Sequence, residues 1–219
     1  MTAVLLESKD LRFKYPGQDL EIRIPNFTLS LGESLLVYGR SGSGKSTLLH
    51  LISGLMNDYR GSLRFEDQEL KDLGPSMMDR LRQKSYGNIY QSFNLLPYLN
   101  VFENVTLPAE LRGKDLSGRA LELLKHMGLQ GFERRQVSEL SIGQQQRVAA
   151  VRALLMKPRL LLADEPTSSL DAHNKKLFMD LLFEMCRAEG TALLFVSHDP
   201  ELQELFDKRL ELSPQGPQT

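Results

Sequence analysis

The stretch Gly39-Arg40-Ser41-Gly42-Ser43-Gly44-Lys45-Ser46-Thr47 places a lysine and two hydroxyls directly after a run spaced by glycines. That spacing, G-x-x-x-x-G-K-[ST], suits the binding of a phosphate chain. Gly39, Gly42 and Gly44, with Ser41 and Ser43 between them, let successive backbone N–H groups turn inward, and a helix starting at the loop adds its positive dipole end. Lys45 is then placed to reach the outer phosphates. Ser46 offers a hard oxygen ligand of the kind Mg²⁺ prefers, and Thr47 supports the loop from the first helical turn.

A second chemical signal is the apolar run Leu160-Leu161-Leu162-Ala163 ending in Asp164-Glu165. In open α/β sheets the ligand sits beyond the carboxyl ends of the strands, so this pair and the glycine-rich loop point to one crevice. Asp164 can hold Mg²⁺ through its water shell, leaving Glu165 to orient and polarise a water that attacks the terminal phosphate in line. Taken alone, the pair also reads as the polar end of a strand before a turn at Pro166. Beside the phosphate loop, the catalytic reading is favoured.

These residues need rigid elements to position them. Leu35–Tyr38 reads as a strand entering the loop, and 47–55 as the helix leaving it. Before them, Val4–Phe13 and Leu20–Leu31 alternate apolar residues between turn signals at Pro16-Gly17 and Leu31-Gly32-Glu33, which predicts antiparallel edge strands. From about 92 to 157 the periodicity becomes helical, with segments at Val101–Leu111, Gly118–Met127 and Ile142–Met156. Leu160–Ala163 and Thr191–Val196 are continuous apolar runs of the kind found in strands buried on both faces of a parallel sheet. The stretch Ala172–Ala188 reads as their crossover helix, and Arg209–Leu212 as a last strand. A Pro/Gln/Gly tail from Ser213 is expected to be disordered. The expectation is an α/β fold over 1–219 as a single domain: a parallel-sheet core, an N-terminal antiparallel β subdomain and an inserted helical subdomain.

Bulk properties narrow the setting. With 219 residues, 41% hydrophobic and 25% charged, the chain can bury a substantial core. Its 27 basic and 28 acidic residues leave a formal charge of −1, so no global attraction to nucleic acid or anionic lipid is expected. The single cysteine, Cys186, cannot form an intramolecular disulfide framework, which fits a reducing, cytoplasmic setting. The start, Met1–Glu7, has no basic leader and too short an apolar run for a signal peptide. No run approaches the roughly 18 apolar residues of a membrane-spanning helix, so any membrane contact is expected through a partner.

Phosphate binding alone does not name a function. The deciding segment is Leu140-Ser141-Ile142-Gly143-Gln144-Gln145-Gln146-Arg147, at the start of a helix upstream of Asp164. It resembles the LSGGQ signature of the ABC ATPase family, whose P-loop NTPase fold has a RecA-like core. Gln91 in Tyr90-Gln91-Ser92, the stretch Ser168-Ser169-Leu170-Asp171, and His198 in Val196-Ser197-His198-Asp199 match further family positions in order. The resemblance covers about Leu5 to Leu212. It implies ATP and Mg²⁺ as ligands, with Ser46, Gln91 and Asp164 around the metal and Glu165, His198, Gln91 and Lys45 serving hydrolysis. It also implies a homodimer that sandwiches two ATPs, each held by the phosphate loop of one copy and by Ser141, Gly143 and Gln144 of the other.

Several positions carry two readings. Tyr15 matches the aromatic that the family stacks on adenine, although a tyrosine near an edge strand is often plain packing. His198 matches a γ-phosphate contact, while a lone histidine after a buried strand is commonly structural. Gln91 is either a surface amide or the family's link between Mg²⁺, the attacking water and the helical subdomain. Asp171 is a natural N-cap for a helix at Ala172, and that role is compatible with a subunit-interface one. Ile142 replaces the signature's first glycine. A left-handed conformation there is therefore unexpected, whereas a helical one tolerates isoleucine.

Gln91–Pro97, Glu103-Asn104-Val105 with Pro108, Leu48–Leu55, and Ala163–Thr167 look like the LolD/MacB/FtsE branch of the family. That resemblance implies a separate membrane permease with a large periplasmic domain, and a place for this chain on the inner face of the membrane. The apolar segment Phe93–Phe102 would divide between the core and a groove receiving the permease. Two other readings stay open: a soluble ABC protein acting on nucleic acid or ribosomes, and a signalling scaffold with slow turnover. Against the first stand the lack of a second cassette and of a basic stripe, so nucleic acid is not an expected partner.

Overall fold

The computed structural model describes residues 3–17 and 20–213. In chain order the first elements are β1 (Val4–Lys14), β2 (Glu21–Ile24), β3 (Phe27–Ser30), β4 (Ser34–Tyr38), α1 (Lys45–Ile52), β5 (Arg60–Phe65), β6 (Gln68–Glu69) and α2 (Pro75–Ser85). They are followed by β7 (Tyr86–Ile89), α3 (Val101–Glu110), α4 (Ser117–His126), α5 (Ile142–Leu154), β8 (Leu160–Asp164), α6 (Ala172–Glu189), β9 (Ala192–Ser197) and β10 (Lys208–Glu211). The chain forms two compact units: one runs to Lys84 and resumes at Ala192, and the other is Ser85–Thr191.

In the first unit β1 is the spine of an antiparallel sheet. Its later half pairs with β2 and its earlier half with β3, while β5 lies along its other edge and pairs in turn with β6. Alternation holds on either side of an irregularity between Lys9 and Arg12: Leu6 and Ser8 are buried before it, and Leu11 and Phe13 are buried after it with Arg12 and Lys14 exposed. The same unit holds the parallel strands β10, β4 and β9, with Val37 between Leu210 and Val196. Leu35, Leu36, Val37 and all six residues of β9 are buried, as the continuous apolar runs require. The parallel sheet therefore delivers the carboxyl ends of β4 and β9, at Tyr38 and Ser197, where the phosphate loop and His198 begin.

In the second unit β7 and β8 pair in parallel, Tyr86 opposite Leu160 and Ile89 opposite Ala163. Helices α3, α4 and α5 pack on one another around Val105, Leu124, Val148 and Val151, all fully buried. These three helices lie within the 92–157 stretch read as helical, and the unit containing them also takes in β7, β8 and α6. Their starts follow from capping. Asn100 and Glu103 bond reciprocally at α3, Ser141 and Gln144 do the same at α5, and Asp171 accepts the Asn174 N–H at α6.

The structure departs from the sequence reading in several places. The helix after the phosphate loop spans Lys45–Ile52 rather than 47–55, because Gly44 itself serves as its N-cap and the chain turns at Ser53-Gly54. The strands β5, β6 and β7 and the helix α2 were not expected. Arg60–Phe65 interleaves charged residues, α2 is mostly polar, and β7 is four residues long with a glycine inside. The last strand lies one residue earlier than expected, at Lys208–Glu211. The tail read as disordered lies, from residue 214 onward, outside the described residues, as do residues 1 and 2 of the start. Among the described residues no helix is long and apolar enough to cross a membrane.

Candidate functional site

The phosphate loop leaves β4 at Gly39, whose backbone no other residue could supply. Its φ is 152°, and a Cβ there would stand 2.1 Å from the Leu212 carbonyl oxygen. Gly44, with φ 99°, lies under Ile22, and a Cβ would come 2.6 Å from Ile22 Cγ2. Between them Ser43 N–H donates to the Arg40 carbonyl at 3.2 Å, closing the turn. The helix α1 then starts without a side-chain cap. Its N-terminus therefore presents the positive end of the helix dipole at the loop without a capping side chain.

The Lys45 ammonium is buried at the loop's centre and donates to the Gly39 and Arg40 carbonyls at 2.9 and 3.1 Å. Ser43 Oγ is buried with no hydrogen-bond partner among the described residues, a polar atom suited to a ligand oxygen. Ser41, Gly42 and Ser46 are exposed, whereas Thr47 is buried and shares a 2.9 Å hydrogen bond with the Tyr15 hydroxyl. Tyr15 also meets Phe13 edge to face at 4.8 Å between ring centroids. Its ring is therefore fixed against the phosphate loop by its own hydroxyl, a link that spacing in the sequence does not reveal. His198 follows the fully buried β9 and is exposed.

The second unit carries a cleft of about 500 Å³ lined by Tyr90, Gln91, Ser92, Asn94, Asp164, Ser168 and Ser169. β7 delivers Gln91 and β8 delivers Asp164, because the two strands run parallel and end at the same level. The Gln91 amide lies 3.5 Å from Ser168 Oγ. Glu165 follows directly with φ 44°, an uncommon left-handed backbone for a glutamate, and its carbonyl accepts the Ser168 N–H at 3.2 Å. Gln91 and Asp164 thus share one cleft with the chain turn that carries Glu165.

At α5 the Ser141 hydroxyl accepts the Gln144 N–H at 3.3 Å and the Gln144 side chain accepts the Ser141 N–H at 2.9 Å. Ile142 is the first helical residue, so its β-branch is tolerated, and its side chain is 52% exposed. Gly143 lies against the first turn of α6, where a Cβ would meet Asn174 Oδ1 at 3.4 Å. Asp171 caps α6 with both oxygens on Asn174, at 2.8 Å to the backbone and 2.6 Å to the side chain. Those hydrogen bonds hold its carboxyl below the usual aspartate value.

Three residues of these surroundings were not singled out from the sequence: Ile22, which covers Gly44; Tyr90, which lines the cleft; and Arg152, which bonds the carbonyls after Gln91. None belongs to a spaced motif. Only an arginine on the buried side of a helix could have drawn notice.

A family model described as ABC transporter matches residues 22–168. This is more than half of the chain, and the chain belongs to the ABC transporter family. An AAA-domain model also matches residues 133–204. A dimeric structure of MJ0796, a bacterial ABC transporter cassette, is similar over 96% of this chain and 95% of its own, at 31% identity and TM-score 0.82. The same cassette in a post-hydrolysis state bound to ADP and Pi gives 31% identity, 97% coverage of each chain and TM-score 0.80. CbiO1 from Clostridium perfringens, part of the ABC transporter complex cbiONQ, gives 26% identity, coverage of 94% and 86%, and TM-score 0.84. The fold is the P-loop ATPase fold of these cassettes, and the protein is an ABC-type ATPase that binds ATP.

Proposed function

We propose that this chain is the ATP-hydrolysing cassette of a membrane complex, working as a dimer of two copies and driving a separate permease of the LolD/MacB/FtsE kind. The observation that carries the reading is the exposed start of α5. Ser141 and Ile142 are presented at a capped helix N-terminus, and a large apolar side chain is left uncovered there. A second copy bringing ATP to that surface would cover it, in keeping with the dimeric MJ0796 cassette.

The roles follow from the chemistry of the groups. Backbone N–H groups of 39–47, with Ser41 and Ser43, enclose the phosphate chain while Lys45 exchanges its carbonyl partners for the β- and γ-phosphates. Tyr15 packs on adenine. Among the described residues no cluster of three or more His, Cys, Asp or Glu side chains could hold a metal. The oxygens of Ser46, Gln91 and Asp164 fit Mg²⁺, which prefers few protein ligands alongside substrate phosphates. Bound there, Mg²⁺ would neutralise charge on the β- and γ-phosphates. Glu165 polarises the attacking water, Gln91 orients it, and His198 contacts the γ-phosphate. Ser141, Gly143 and Gln144 of the second copy complete the site across the interface, with Asp171 beside it.

The groove reading rests on Tyr98, 72% exposed, while Phe93 and Val101 of the same segment are buried. Affinity purification of Glu165→Gln from its host with ATP and mild detergent, followed by mass spectrometry, tests the assignment. Recovery of a membrane protein with a large extracytoplasmic domain is expected. Recovery of ribosomal or DNA-bound partners instead would overturn it.

A further inference from the structure

The turn after Gln91 is built from two consecutive non-glycine residues in the left-handed region, Phe93 with φ 58° and Asn94 with φ 50°. Asparagine visits that region readily. A bulky aromatic rarely does, so Phe93 must be held there by its surroundings. Part of the hold is local: Phe93 N–H donates to the Tyr90 carbonyl at 3.0 Å, and Ser92 Oγ meets Asn94 Oδ1 at 2.8 Å.

The rest comes from α5. Arg152 donates from one guanidinium nitrogen to the Phe93 carbonyl at 2.6 Å and from the other to the Asn94 carbonyl at 2.7 Å. In extended backbone successive carbonyls point to opposite sides, whereas in a helical turn of either hand they align. The left-handed pair therefore turns both carbonyls to one side, where a planar guanidinium bonds the two together. An ammonium offers no such fork. A partly buried cation bonded to two neutral carbonyls, with no carboxylate in an ion pair with it among the described residues, is a desolvated charge spent on backbone geometry. Beyond the clamp, the fully buried Asn104 fixes the next stretch. It accepts from Leu96 N–H at 2.7 Å and donates to the carbonyls of Leu96, Leu99 and Asn100.

We propose that Arg152 is a positioning residue for ATP hydrolysis: by clamping the carbonyls of Phe93 and Asn94 it holds the turn that aims Gln91 into the Asp164 cleft. This rests on the role proposed for Gln91. Arg152 sits on the helix that begins with the signature segment, so one rigid element carries both the start of α5 and the brace of the Gln91 turn. Lys45 and the phosphate loop belong to the other compact unit. Loss of the clamp therefore lowers turnover without lowering ATP affinity.

The test compares Arg152→Ala, Arg152→Lys and Gln91→Ala for kcat, ATP affinity and thermal melting. Arg152→Ala is expected to lose about tenfold or more in kcat, the rate equivalent of letting one strained residue relax, with ATP affinity within about twofold of the parent. Arg152→Lys should fall between. A kcat within about twofold of the parent in Arg152→Ala, or a loss of ATP affinity as large as the loss of kcat, overturns the clamp. If Arg152→Ala does not fold, parent-like kcat in Arg152→Lys overturns it equally. Parent-like turnover in Gln91→Ala instead overturns the role of Gln91 itself.

Discussion

The phosphate loop and the cleft beside Gln91 solve one problem, holding backbone at positive φ, by opposite means. The loop uses residues without side chains: Gly39 and Gly44 stand where a Cβ would strike Leu212 and Ile22. The cleft uses side chains to hold non-glycine residues, Phe93, Asn94 and Glu165, at positive φ. A glycine turn is set by sterics and carries its own signature. A turn held by side chains is set by contacts from elsewhere in the chain, and it can be released by altering those contacts.

The largest expected effect breaks the first mode. Gly44→Ala puts a Cβ against Ile22 at a φ that alanine avoids, so ATP affinity should fall by about 100-fold or more, the equivalent of roughly 3 kcal/mol of strain and lost contacts. Isothermal titration with a non-hydrolysable ATP analogue measures it. Binding within about threefold of the parent would show that the loop tolerates a side chain.

Ile142→Gly probes a helix start where no special backbone is required. Ile142 is already helical, so glycine there removes an exposed side chain and costs at most about 1 kcal/mol of helix stability. Steady-state ATPase rate should stay level or rise. A tenfold drop would mean that the isoleucine itself takes part in covering the site.

The smallest effect is at the cap of α6. The folded carboxyl of Asp171 lies below the usual aspartate value because Asn174 bonds its charged form. Its contribution is therefore present above the ordinary aspartate value and lost as pH falls through the lowered folded one. The protection factor of the Asn174 amide, its exchange rate relative to the intrinsic rate at the same pH, should fall on acidification below the usual aspartate range. The change should vanish in Asp171→Asn, whose amide caps at every pH.

What the sequence disclosed follows the same division. The glycine-lysine loop, the Asp164-Glu165 strand end and the start of α5 were legible because their signals are local: a turn only glycine can make, an apolar run with a polar end, a short segment resembling the family signature. The β5–β6 hairpin was not, because Arg60-Gly61-Ser62-Leu63-Arg64-Phe65 buries only Leu63 and Phe65 and is placed by its long-range pairing with β1. The left-handed backbone at Phe93 and Glu165 left no trace, since nothing in those residue types announces positive φ. The Tyr15–Thr47 hydrogen bond joins residues 32 positions apart and depends on the packing of the compact unit that holds both.

The central claim, that Glu165 drives hydrolysis at a site completed by a second copy, is tested most directly by measuring turnover and solution mass of Glu165→Gln with ATP. The account predicts ATP binding retained, turnover reduced by about 100-fold or more, and a mass that doubles when ATP is added. Turnover at the parent rate in a monomeric Glu165→Gln would contradict it.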